Sequence, residues 1–307
     1  MEIIDAMNKS EKRYATAVAL GNFDGIHVGH QHLLNDNIKK AKYNNLIPSV
    51  LIFRNHTKTI LKDKNNSEID IITTYEQKMK ILEKLGIEIA YVMDFDENLM
   101  RLSPDMFIND IVLGRLNARL ITVGFDYRFG YKAKGNSEYL KEYGKKNGFE
   151  VNIIDPIYVD NEIVSSTSIR NLIKNGDIKK ANRLLGRNFS LIGTVVRGSS
   201  RGRKLGFPTA NIHLSDRYVI PKTGVYKTCT IINNNRFMSL TNIGYNPTFG
   251  EEKLKIETHI LDFLEDIYGQ TIEIEFMEYI RDDIKFSKAE ELIEQMHRDL
   301  EYIKYSL

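Results

Sequence analysis

From Ala15 to about Ile157 the chain alternates short apolar runs with amphipathic stretches. The apolar runs are ATAVAL, PSVLIF, IAYVMDF, RLITVGFD and EVNIIDPI. Between them lie HLLNDNIKKAKYNN, YEQKMKILEKLG, SPDMFINDIVLGRL and SEYLKEYGKKNG, with apolar residues at helical spacing. Buried strands separated by amphipathic crossovers predict a parallel sheet covered by helices. End signals point the same way: Thr73 stands three before Glu76 as a capping box, and Ser103 precedes Pro104 at a first helical position.

Two short helices are predicted next, SIRNLIKNG and DIKKANRLLG, closed by Gly176 and Gly186 where a left-handed stop is expected. From Phe189 the pattern changes to consecutive β-like segments: FSLIGTVV, GVYKTCTII, RFMSLTNIG, KIETHILDF and TIEIEFMEYI, with turn signals such as NNN and YGQ between them. Strands without intervening helices predict an antiparallel barrel or sandwich. A last helix opens at a Ser287/Glu290 capping box and aligns Leu292, Met296, Leu300 and Ile303 for packing on that sheet. The change of pattern predicts a boundary at Leu185 to Arg187, hence domains over 1–185 and 186–307.

Composition narrows the class. A length of 307 residues suits two domains, each with its own core. With 42% hydrophobic and 27% charged residues and only 6 Pro, disorder is expected at the ends alone. The net charge of +2, from 43 basic and 41 acidic residues, gives no overall field for nucleic acid or a membrane surface. The basic clusters SSRGRK and KEYGKK lack the interleaved aromatic residues of a single-strand binder. Cys229, the single cysteine, excludes an internal disulfide, fits a reducing compartment and is expected on a strand, buried or half-buried. No run reaches about 18 apolar residues, and charges interrupt the N-terminal MEIIDAMNKSEKRY. These features predict a cytoplasmic protein with no nucleic-acid or membrane partner, monomeric or weakly homo-oligomeric.

Candidate chemistry begins at GNFDGIHVGH, Gly21 to His30, the turn between the first strand and its helix. Ligands of open α/β sheets bind at such strand ends. Gly21, Gly25 and Gly29 let backbone approach a ligand, and a helix N-terminus suits phosphate. His27 and His30, three apart, can face one way and donate to phosphate oxygens. The pair also reads as surface residues or as part of a metal site, although zinc would want a third and usually a fourth ligand and no nearby Cys/His set offers them.

H-x-G-H after a first strand resembles the signature of the adenylyl/cytidylyltransferase superfamily, whose adenylyltransferase subset carries a second signature that here reads VSSTSIR, Val164 to Arg170. The resemblance implies nucleotide contacts at Asn22, Asp24, Gly29, Ser165, Ser166, Thr167 and Arg170, with His27 and His30 stabilising charge on an α-phosphate under attack. Displacement of pyrophosphate needs positioning and neutralisation more than covalent help, and an attacking phosphate needs no base.

RGSSRGRKLGFPTANI, Arg197 to Ile212, is not a Walker A loop, and alone it would read as a solvated basic loop. GFPTAN within it resembles the signature of the riboflavin kinase family, a six-stranded barrel. TGVY, NIGYNPTF, IETHILDF, IYGQ and YIRDDIKFSKAEEL match that family in order. The resemblance implies Mg²⁺ on Thr209 and Asn211, ATP contacts at Gly198, Lys204, Gly206, Pro208, Thr209 and Asn211, a flavin contact at Arg281, and Glu257 as the base for a 5′-hydroxyl. In isolation Glu257 reads as an outward polar strand residue.

Together the halves resemble the bacterial bifunctional riboflavin kinase/FAD synthetases. That implies riboflavin, FMN and ATP as partners, Mg²⁺ as cofactor, ATP as co-substrate and FMN and FAD as products. VGFDYRFG then offers Asp126 as a nucleotide or flavin contact; read as a plain strand end, the same stretch places Phe125 and Phe129 in the core. The chain departs from the family pattern at IFRNHT, where His56 stands without its usual prolines, at VSSTSIR, where Arg170 is the one basic residue, and at Asn246 in place of a basic residue. These departures leave two alternatives: a family member with one activity, or a flavin- or nucleotide-binding regulator without turnover.

Overall fold

The computed structural model describes residues 1–7, 14–54, 70–198, 206–248, 251–284, 286 and 288–305. They form two compact units, Met1–Ser166 and Thr167–Leu307.

The first unit is built on six parallel strands: β1 (Glu2–Asp5), β2 (Thr16–Leu20), β3 (Ile47–Phe53), β4 (Ile89–Met93), β5 (Ala118–Gly124) and β6 (Glu150–Ile154). They stand in the order β1-β4-β3-β2-β5-β6. β2 and β4 are buried at every position, which explains their unbroken apolar runs: both faces of the sheet are covered. On one face, α1 (Val28–Tyr43) and α2 (Tyr75–Leu85) set Leu34, Ile38, Met79 and Leu82 against Ala19, Val50 and Ile52. On the other, a stretch over Phe107–Leu113 and α3 (Ser137–Asn147) set Ile108, Ile111 and Leu140 against Val18, Leu51 and Ile121. Full burial of each such side chain stabilises by about 1.5–3 kcal/mol. Strand order reverses between β2 and β5, so the turns leaving Leu20 and Gly124 open at the switch point where ligands bind.

Three local readings change. The edge strand β1 was not expected from its charged sequence; it pairs with β4 along Glu2 to Asp5. The SPDMFINDIVLGRL segment is not one α-helix: Ser103 caps a turn at Pro104–Met106 that widens into a π-helix over Phe107–Leu113. Gly114 permits this, since a Cβ there would stand 2.5 Å from the Asp110 carbonyl. The capping box of α2 is Thr74 with Gln77, one residue beyond the expected Thr73/Glu76, because Thr73 is engaged elsewhere.

The second unit opens with α4 (Ser166–Lys174), whose first residue closes the first unit, and α5 (Ile178–Leu185), followed by left-handed Gly176 and Gly186 as expected. Six strands follow: β7 (Phe189–Val196), β8 (Ala210–His213), β9 (Gly224–Ile232), β10 (Asn235–Thr248), β11 (Glu251–Ile260) and β12 (Thr271–Arg281). They close an antiparallel barrel in the order β7-β8-β11-β10-β9-β12. Left-handed Asn233 and Asn234 make the tight β9–β10 turn that NNN signalled. The barrel encloses Phe189, Leu191, Tyr226, Ile274 and Phe276 together with a chain of buried hydroxyls, Thr230, Ser239, Thr228, Thr241 and Thr258, each 2.8–2.9 Å from the next. Cys229 is buried on β9. On the outer face, Leu300 and Ile303 of α6 (Ala289–Tyr305) pack with Val225 and Leu240, while Leu292 and Met296 are half-buried. Ser287 lies outside the described residues.

Candidate active sites

The β2–α1 turn is wound tightly enough that two bulky residues take left-handed backbone angles, Phe23 at φ 47° and Ile26 at φ 35°, with Gly25 at 79° between them. Such angles cost on the order of 1–3 kcal/mol each. Both side chains are fully buried among Ala19, Leu33, Leu34 and Val50, and that burial offsets the strain. The turn thereby aims the residues that follow it.

His27 caps α1: its Nδ1 accepts the His30 amide N–H at 3.3 Å. An accepting Nδ1 in a neutral ring leaves the proton on Nε2, so His27 presents a donor. The two rings stack at 3.7 Å and 18°, and the edge of Phe23 packs on His30 at 5.2 Å. Gly29 makes room, since a Cβ there would lie 3.2 Å from His27 Nδ1 and Cε1. Burial pushes the His30 imidazole well below its usual range, with repulsion from His27 and Lys78 adding to the effect. His30 is therefore neutral at physiological pH, and its shielded Nδ1 has no hydrogen-bond partner. The site offers imidazole donors on the positive end of a helix instead of a pair of cations.

Asp24 is 1% exposed. Its carboxylate accepts the N–H groups of Ile72 (3.1 Å) and Thr73 (3.2 Å), while Thr73 Oγ1 accepts the Gly25 N–H at 3.0 Å. This is why Thr73 does not cap α2. Ser166 Oγ donates to the Asp24 carbonyl at 2.9 Å, so the two sequence signatures meet in one bracket. Among the other expected contacts, Asn22 and Asp126 are exposed at the ends of neighbouring β2 and β5, and Ser165 is half-buried. Thr167 is exposed and Arg170 half-buried on α4, in the second unit. Phe129 is in the core but Phe125 is 44% exposed, so the reading that placed both inside holds for only one. His56 lies outside the described residues.

In the barrel, strand register makes the site. Val196 pairs with Asn211, Asn211 with Glu257, Glu257 with Asn242, Asn242 with Val225, and Val225 with Arg281. One row thus crosses all six strands and carries Asn211, Glu257 and Arg281. Ile256 and Thr258 are buried, so Glu257 between them points outward. Its carboxylate pairs with Lys255 Nζ at 2.8 Å, two residues away on the same face. Gly198 backs onto Asn211 so closely that a Cβ there would stand 2.2–2.7 Å from the Asn211 amide. Gly206 takes φ 87° in open space, and the Pro208 carbonyl lies 2.8 Å from His259 Nδ1. Thr209 is half-buried and Pro208 exposed; Lys204 lies outside the described residues.

Arg281 is turned onto α6. Its Nε and Nη2 donate to Asp299 at 2.6–3.1 Å, Nη1 donates to the Asp282 carbonyl, and Gln295 also donates to Asp299. With Asp299 buried, Arg281 locks the helix to β12.

Thr209 and Asn211 offer neutral oxygens beside a close backbone approach at Gly198, a donor set that fits a hard divalent cation shared with phosphates. Sequence reasoning missed Asn242, Lys255 and the Asp24–Thr73 bracket. Lys255 had a sequence signal in its two-residue spacing from Glu257, and Asn242 opens the NIGYNPTF stretch, whereas the Asp24–Thr73 bracket had none.

Residues 9–168 match the FAD synthetase family and residues 185–307 the riboflavin kinase family. The chain is 38% identical over 283 residues to a bifunctional riboflavin kinase/FMN adenylyltransferase of Listeria monocytogenes, covering 92% of this chain and 89% of that one. It is 36% identical over 301 residues to the protein of that name from Bacillus subtilis, covering 96% and 94%. A solved structure named Macrolide-efflux Protein, from Streptococcus pneumoniae, superimposes with a TM-score of 0.91 at 33% identity, covering 100% of this chain and 99% of that one. Among the described residues no helix is long and apolar enough to cross a membrane. Two matched domains in one chain, and relatives aligned along nearly its whole length, make this protein a member of the bifunctional riboflavin kinase/FMN adenylyltransferase family.

Proposed function

We propose that this chain converts riboflavin to FMN at the barrel and FMN to FAD at the parallel sheet, consuming one ATP in each step. The observation that carries the proposal is the constellation in each matched half: stacked His27 and His30 on a helix N-terminus, and Asn211 opposite Glu257 across one strand pair. In this reading residues 1–185 are the adenylyltransferase and 186–307 the kinase.

In the kinase step the Glu257 carboxylate takes the proton of the riboflavin 5′-hydroxyl as its oxygen attacks the γ-phosphorus, and the bond to ADP breaks. Glu257 exchanges Lys255 for this partner. Thr209 and Asn211 would hold Mg²⁺, which when bound would neutralise phosphate charge. Gly198, Lys204, Gly206 and Pro208 shape the nucleotide loop, and Arg281 holds the helix that flanks the flavin. In the second step the FMN phosphate, already ionised, attacks the α-phosphorus and pyrophosphate leaves. His27 and His30 donate to the oxygens that gain charge, and the α1 N-terminus adds its dipole. Asn22, Gly29, Ser165, Thr167, Arg170 and Asp126 complete the nucleotide and flavin contacts, while Asp24 and Ser166 keep the turn in place. The enzyme works in the cytoplasm as a monomer or weak homo-oligomer, without nucleic acid or membrane; the near-zero net charge supports the absence of those two partners.

The test is a chromatographic time course with riboflavin, ATP and Mg²⁺. FMN followed by FAD is expected. FMN alone removes the adenylyltransferase assignment, FAD only from added FMN removes the kinase assignment, and neither product refutes both.

A further inference from the structure

Glu257 has a neighbour on β10 that the proposed kinase chemistry does not use. Asn242 stands directly opposite Glu257 in the β10–β11 ladder. Paired side chains of this kind have Cβ atoms about 4.5–5.5 Å apart on the same face. The Asn242 Oδ1 is shielded from solvent and has no hydrogen-bond partner. Buried acceptors are rarely left unsatisfied, so its persistence calls for a group that arrives with a donor.

The surroundings say what kind of group. On one side of Asn242 lies the carboxylate of Glu257, where a terminal hydroxyl is to lose its proton. On the other lies Val225, buried with Leu240 and Ile303 beneath α6, so that side is already filled and a ligand meets Asn242 from the side of Glu257. A hydroxylated chain whose terminal hydroxyl reaches Glu257 brings its next hydroxyl toward the residue facing Glu257 across the ladder. Asn is also suited to the position: it is an acceptor without charge, where a second carboxylate facing Glu257 would add repulsion.

We infer that Asn242 is a substrate-positioning residue of the barrel, its amide oxygen accepting a hydrogen bond from the riboflavin chain hydroxyl adjacent to the one that reacts. The inference rests on the kinase reading given above. Two anchored hydroxyls fix the chain's rotation, and so the angle at which the terminal oxygen meets the phosphorus. The same contact makes the site select for a polyol, because an analogue without that hydroxyl leaves Oδ1 unsatisfied.

The experiment compares riboflavin with 4′-deoxyriboflavin, which lacks the adjacent hydroxyl, in wild-type protein, Asn242→Leu and Asn242→Ser. Dissociation constants are read from flavin fluorescence in the presence of Mg²⁺ and a non-hydrolysable ATP analogue. Wild type is expected to bind riboflavin about tenfold or more tighter than the deoxy analogue. Asn242→Leu should bring that ratio near one by weakening riboflavin alone. Asn242→Ser, which retains an oxygen acceptor, should recover part of it. A ratio unchanged in both variants, or equal weakening of both ligands, overturns the inference. Circular dichroism melts compared with wild type report that the barrel of each variant is folded. If the wild type phosphorylates riboflavin and Glu257→Gln stops turnover while the Asn242 variants keep the wild-type ratio, this inference fails and the kinase reading stands. If the wild type neither binds nor phosphorylates riboflavin, both fail.

Discussion

Gly198→Ala adds one methyl group at a position with no left-handed backbone requirement, so its effect comes from contact alone. The new Cβ would stand 2.2 Å from Asn211 Nδ2, 2.5 Å from Cγ and 2.7 Å from Oδ1, against ordinary contact at 3.4–4 Å. The Asn211 amide must therefore retreat by roughly 1 Å, a displacement that at a reacting centre costs about a hundredfold in rate. Overpacking of this kind destabilises by about 1–3 kcal/mol. The assay follows FMN from riboflavin and FAD from FMN separately, with urea unfolding of each variant. Kinase turnover should fall by about two orders of magnitude while FAD formation is unchanged. In an Asn211→Ala background the added methyl meets no amide, so Gly198→Ala should then cost almost no stability. A double-mutant cycle isolates that coupling. Near-normal kinase turnover in Gly198→Ala, or the same stability loss with and without Asn211, would refute the reasoning.

The two chemistries should separate. His30→Ala is expected to lose FAD formation and keep FMN formation, Glu257→Gln to do the reverse, and product chromatography reads both; parallel loss of both activities in either variant contradicts two independent sites. The depressed His30 pKa also has a sign. Below its ordinary value of 6.5 the unfolded chain takes up a proton that the folded one refuses, so stability falls as pH drops from there toward the folded value. The slope contributed is at most about 1.4 kcal/mol per pH unit, and it should vanish in His30→Gln when urea unfolding is compared at pH 7, 6 and 5. Asp299→Ala strands a mostly buried Arg281 and should cost about 3–5 kcal/mol in the barrel unit, with Arg281→Met milder in the same melting experiment.

The order and type of most elements were legible in the sequence, because helix and strand periods are local properties; the edge strand β1, the short β8 and the π-helical stretch over Phe107–Leu113 were not. The sequence placed the left-handed stops at Gly176 and Gly186, the Ser103 cap, and the other barrel strands from Phe189 onward. Residue type and spacing singled out His27 and His30, and the resemblance of its motifs to known families singled out Asn211 and Glu257. Tertiary structure decided what those residues face. That Asn211, Glu257 and Asn242 form one row depends on strand register, a relation between segments far apart in the chain that alternation along any one strand does not contain. Thr73 yielded the α2 cap to Thr74 because a distant carboxylate, Asp24, claimed its amide. Phe23 and Ile26 hold left-handed angles that their own side chains disfavour, since burial against the sheet outweighs the local preference. Arg281 turned toward Asp299 for the same reason: the partner of a long charged side chain is whichever opposite charge the fold brings near it, and only the packing of α6 on β12 supplies that one.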